Sequence, residues 1–111
     1  MSIKLQPAVQ GDVNDRRLLR LDGLATLDAV TSIKAHVWRR GVADADLAVT
    51  VTDSTARTVE LNLGGVGGWL ATRTDAATWF VEIEATFSNG SVLTWPADRP
   101  MELSVRLQGD Q

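Results

Sequence analysis

The strictest constraint on this chain is the alternation over residues 79–87, where Trp79, Val81, Ile83, Ala85 and Phe87 interleave with Phe80, Glu82, Glu84 and Thr86. A period of two sustained this long marks a β-strand with one buried face, because successive side chains of an extended chain point to opposite sides. Asn89-Gly90 follows almost at once. That dipeptide tolerates the positive φ needed at both central positions of a type I′ turn, so the sequence predicts a two-residue hairpin. In that register Ser88 faces Ser91, Phe87 faces Val92, Thr86 faces Leu93 and Glu84 faces Trp95.

The same period recurs along the chain. Ile33, Ala35 and Val37 alternate with Lys34, His36 and Trp38; Leu47, Val49 and Val51 with Ala48, Thr50 and Thr52; Val59, Leu61 and Leu63 with Thr58, Glu60 and Asn62. Met101, Leu103, Val105 and Leu107 form a closing strand against Glu102, Ser104 and Arg106. Residues 3–9 are a shorter candidate that Pro7 confines to a sheet edge, since proline has no donor for a central ladder. Residues 16–21 pair after a polar turn. Leu24, Leu27, Val30, Ile33 and Val37 also fit helical spacing, so a helix over residues 26–39 competes with a loop followed by a strand. The recurring β-branched residues favour the strand. Gly41, Asp44 and Asp46 read as the next connection, and Pro96 and Pro100 bracket another turn. About seven or eight short strands separated by turn signals imply an all-β fold, an immunoglobulin-like antiparallel β-sandwich forming a single domain over residues 1–111.

Composition narrows the partners. The 111 residues suffice for one core, and the absence of cysteine removes disulfides, thiol nucleophiles and zinc-thiolate sites. A net charge of -3, with no basic tract longer than the pairs Arg16-Arg17 and Arg39-Arg40, argues against nucleic acid, whose phosphates require clustered positive charge. There is no apolar leader and no run of apolar residues long enough to cross a membrane, so synthesis in the cytoplasm is expected, with no membrane partner.

Chemistry-bearing motifs are sparse. The glycine run at residues 64–68 lacks a P-loop lysine and a following helix signal, which leaves a bent connection. His36 is the only histidine, so one chain cannot build a histidine-based metal cluster, and no serine sits in a nucleophile-elbow pattern. Glu82 and Glu84 share the outer side of a strand as solvated carboxylates, and Asp44 and Asp46 lack EF-hand spacing. No catalytic residue, metal or cofactor is assigned. The aromatic residues are more informative. Phe80, Leu93 and Trp95 fall on the face opposite the core in the expected register, and Trp38 is out of phase with Ile33, Ala35 and Val37. With Arg40 and Trp69 these residues make the candidate protein interface, because rings and arginines are the usual anchors. A carbohydrate-binding module is the rival reading: a flat row of tryptophans would stack on sugar, whereas an apolar patch ringed by charge would take protein.

The segments 47–53 (LAVTVTD), 58–63 (TVELNL) and above all 79–105 (WFVEIEATFSNGSVLTWPADRPMELSV), together with Gln10-Gly11-Asp12 after the first short strand, resemble the immunoglobulin-like domains of tailed-bacteriophage structural proteins. The similarity is greatest to the N-terminal domain of the upper baseplate protein family and spans nearly the whole chain. The resemblance implies a non-enzymatic virion component of baseplate, tail or capsid. Its expected partners are other virion proteins, further copies of itself, and a host-surface glycan. In that family a second domain leads to receptor-binding parts, whereas this sequence stops at Gln111, which moves the expectation toward a decoration or joining subunit.

Overall fold

The computed structural model describes residues 3–23, 26–64 and 68–107. Among the described residues eight strands follow one another in the order β1 (Ala8–Val9), β2 (Arg16–Arg20), β3 (Val30–Arg39), β4 (Val42–Asp53), β5 (Thr58–Asn62), β6 (Ala77–Phe87), β7 (Val92–Trp95) and β8 (Met101–Arg106). No α-helix occurs among the described residues, and the only helical turn there is a 3₁₀ turn at Leu70–Thr72. The segment that competed as a helix holds strand β3, which is rich in β-branched residues and pairs with β4 on one side and β6 on the other.

The strands run side by side as β1-β8-β6-β3-β4-β5-β2, with β7 also pairing β6. The sheet doubles over because β4 belongs to both layers. Its first part pairs β3, from Val42 opposite Arg39 to Ala48 opposite Lys34, and its second part pairs β5, from Val49 opposite Leu61 to Asp53 opposite Thr58. Asp44 and Asp46 therefore lie within a strand rather than in a connection, which shrinks to a tight turn at Arg40-Gly41 with Gly41 at φ 80°. One pairing departs from the antiparallel expectation. β1 runs parallel to β8, with Ala8 opposite Val105, so the sheet is mixed, and Pro7 precedes the edge strand as its missing donor demands.

The core is one contiguous cluster. Ala35 and Val37 from β3, Leu47 and Val49 from β4, Val59 and Leu61 from β5, Trp79, Val81 and Ile83 from β6, and Met101, Leu103 and Val105 from β8 are all buried in it. These are the alternating apolar positions of the sequence, and each buried aliphatic chain contributes about 1.5–3 kcal/mol. Leu21, Leu27, Leu63 and Leu70 close it from the connections.

The β6–β7 hairpin differs from expectation by one residue. Phe87 N–H donates to Ser91 O at 2.9 Å and Gly90 N–H donates to Phe87 O at 2.9 Å, so the loop holds three residues, Ser88, Asn89 and Gly90. Positive φ occurs at Gly90, 88°, and not at Asn89, whose side chain instead accepts from Ser91 N–H at 2.9 Å. This is the turn-plus-bulge loop, not the two-residue type I′ turn. The pairing becomes Thr86 with Val92, Ala85 with Leu93, Glu84 with Thr94 and Ile83 with Trp95. A slip of one residue exchanges the faces of a strand, so Leu93 and Trp95 turn to the core side. Beyond Trp95 the ladder opens: Ile83 pairs Trp95 while Val81 pairs Met101, so residues 96–100 loop out between β7 and β8 with a proline at each end.

Candidate protein-interaction face

The outer surface of the larger layer is built by the strand positions that alternate with the core. β3 contributes Lys34, His36 and Trp38, and β6 contributes Glu84, Glu82 and Phe80 directly opposite them. Trp38 and Phe80 form a cross-strand aromatic pair with ring centroids 5.9 Å apart and planes tilted by 36°. His36 extends the row, its ring 5.7 Å from that of Trp38. Such pairs fix the registry of neighbouring strands and leave a stiff apolar ridge on the solvent side. Both large rings are half-buried.

Charges border the ridge. Lys34 Nζ lies 3.4 Å from Asp46 Oδ2, and His36 Nδ1 lies 3.0 Å from Asp46 Oδ1. An ionised carboxylate only accepts, so the proton of that hydrogen bond sits on Nδ1 of His36. The hydrogen bond from His36 holds the Asp46 carboxyl below its usual range; a smaller desolvation effect opposes it, and Lys34 reinforces it. Beside these groups Lys34, His36, Glu82, Glu84 and Thr94 line a shallow groove of about 240 Å³. The face is thus an apolar ridge with mixed charge along one flank, a composition suited to protein contact.

The other residues expected at the interface separate. Leu93 and Trp95 leave this face for the core side, where Trp95 packs against the core and its Nε1–H donates to Asp22 O at 3.0 Å. They border a second cleft with Ile3, Asp22 and Pro96. Trp69 sits at one end of the sandwich, edge-on to the buried Trp79 at 5.2 Å, and Arg40 is exposed in the β3–β4 turn. Trp38 and Phe80 are the pair the fold brings together.

Three charged residues were not placed at these sites by the sequence: Asp46, Arg39 and Arg73. Asp46 joins His36 and Lys34 only because β4 begins earlier than its apolar pattern does. Arg39 continues the core phase of Ile33, Ala35 and Val37, and an arginine at that phase was a visible signal. Its partner Arg73 lies in a connection and had none. Comparison with known proteins gives no match: no family model fits the chain, and no curated protein or solved structure is significantly similar to it.

Proposed function

We propose that this chain is a non-enzymatic structural subunit of a bacteriophage virion, an immunoglobulin-like sandwich that binds other virion proteins through the outer face of β3 and β6. The observation that supports it is the Trp38–Phe80 ridge, stacked across two strands and flanked by Lys34, His36, Asp46, Glu82 and Glu84. Tilted rings beside charge suit a protein surface better than a sugar, which favours a flat aromatic platform. Trp95, one of the tryptophans that a sugar-stacking row would use, packs against the core and makes a backbone hydrogen bond. The resemblance of residues 79–105 to baseplate domains supplies the virion context.

Repeated copies in a symmetric particle make a modest interface sufficient, because contacts act together. The test is to purify particles of the phage that encodes the chain, identify it by mass spectrometry and locate it by electron microscopy. The expected result is ordered density with the Trp38–Phe80 face against a neighbour. Absence of the chain from every particle refutes the assignment. Trp38→Ala should weaken incorporation by about 30-fold, the effect of losing one central aromatic anchor worth about 2 kcal/mol.

A further inference from the structure

At one end of the core, the guanidinium groups of Arg39 and Arg73 both lie against the ring of a single indole. Arg39 Cζ lies 5.2 Å from the Trp79 ring centre, and Arg73 Cζ lies 5.0 Å from the same ring and 4.7 Å from that of Trp69. Arginine stays protonated at any working pH, so two positive charges are held together over one ring. Burial, with the charge of Arg39 adding to it, pulls Arg73 below the ordinary guanidinium range.

The hydrogen bonds of these two side chains neutralise little of that charge. Arg73 gives Nε–H to Trp69 O at 2.9 Å and a terminal N–H to Thr72 Oγ1 at 3.1 Å, both neutral oxygens. Arg39 reaches one carboxylate, Asp75, at a long 3.4 Å, and that carboxylate is 68% exposed. The Nε–H of Arg39 is buried with no hydrogen-bond partner. Closing the end of a core needs only an aliphatic side chain, and stacking two cations there is an expensive substitute. The chain nevertheless leaves a pocket of about 210 Å³ at this point, lined by Arg39, Thr72, Arg73, Thr74, Asp75 and Trp79.

We propose that the Arg39–Arg73 pocket is a binding site for a small oxyanion, a group of carboxylate or phosphate type. The planar guanidinium fork matches the oxygen spacing of both, and the Thr74 hydroxyl at the pocket wall extends the donor set. Asp75 is then an internal competitor that occupies one fork loosely and is displaced by a better-fitting anion. The site is separate from the Trp38–Phe80 ridge and does not depend on the virion assignment.

The test titrates the full chain with sodium sulfate, sodium phosphate and sodium acetate at constant ionic strength held with sodium chloride. Indole fluorescence and the Nε1–H resonances of Trp69 and Trp79 are followed. The expected result is a saturable shift confined to those two indoles with at least one anion. Arg39→Gln and Arg73→Gln should each weaken it by about tenfold or more, as loss of a charge-assisted bond does. Asp75→Asn should tighten it, a direction that a purely structural role for the pocket does not produce. A preference for sulfate and phosphate identifies a phosphate-type ligand, and a preference for acetate an acidic group. No saturable shift beyond chloride, undiminished affinity in a folded Arg39→Gln variant, or weaker binding in Asp75→Asn overturns the proposal. Should an arginine variant fail to fold, Asp75→Asn carries the test, since that side chain is 68% exposed.

Discussion

Gly64 shows how little space single residues have where the end of β5 meets the chain leading into β2. A Cβ built there falls 2.7 Å from both the carbonyl carbon and oxygen of Val13 and 2.9 Å from Asp15 N, all backbone atoms that cannot swing aside. The approach is close because Asp15 O accepts from the N–H groups of Leu63 and Gly64, each at 3.0 Å. Gly64→Ala is therefore expected to cost about 1–3 kcal/mol, the penalty of forced backbone shifts, measured as a lower denaturant midpoint. The glycine run was legible as a bent connection, but the need for glycine at residue 64 comes from the chain beneath it; residues 65–67 lie outside the described residues. Asp46 makes a different residue-scale prediction. Its folded carboxyl titrates below the ordinary 3.8 because His36 donates to the ionised form. A depressed value means that the favourable contribution is complete above the unfolded value and is lost as pH falls through the folded one. Carbon-13 NMR of the Asp46 carboxyl should give a midpoint below 3.8, and His36→Ala should raise it toward that value.

At the scale of the element, the β6–β7 hairpin determines which aromatics face solvent. Ser88, Asn89 and Gly90 absorb one more residue than a type I′ turn, and the pairing of Ile83 with Trp95 places that indole beside the core. Trp95→Ala should destabilise the fold by about 3 kcal/mol, near the lower end for a large aromatic because the ring is only partly buried, as read by thermal unfolding. An exposed platform in the originally expected register would instead leave stability unchanged. Asn-Gly alone admits both loop lengths, so local sequence could not choose between them. The choice falls to the core side, where Trp95 finds apolar neighbours. β4 carries a similar lesson. Its apolar alternation begins at Leu47, but pairing with β3 extends it back to Val42, because a neighbouring ladder satisfies backbone groups whatever the side chains above them.

At the scale of the whole molecule, the strand order of the doubled sheet ends on β1 and β2, with β7 a further edge beside β6. Arg17 joins β1 and β2. From β2 its guanidinium donates to Gln6 O at 2.6 Å and Pro7 O at 3.2 Å just before β1, while Asp15 holds it through Nε at 2.6 Å and Nη2 at 3.0 Å. The Asp15 side chain is 8% exposed and that of Arg17 16%, so the pair is largely removed from water. Arg17→Ala should cost about 3 kcal/mol, since it strands a buried carboxylate and two carbonyls, and Arg17→Lys should recover only part because an ammonium cannot reproduce the fork. Chemical denaturation checks both, and hydrogen exchange should show β1 opening first. What the sequence determined by itself was the material of the layers: strict alternation in residues 79–87, 47–51 and 58–63 forces extended chain with one apolar face, and extended chains of that kind must bury those faces against each other. Only the tertiary structure decided the hairpin register, the sharing of β4 between layers, the parallel docking of β1 and the meeting of Arg39 with Arg73. The physical reason is that each of these depends on backbone hydrogen bonds and contacts between residues far apart in the chain, for which local periodicity holds no information.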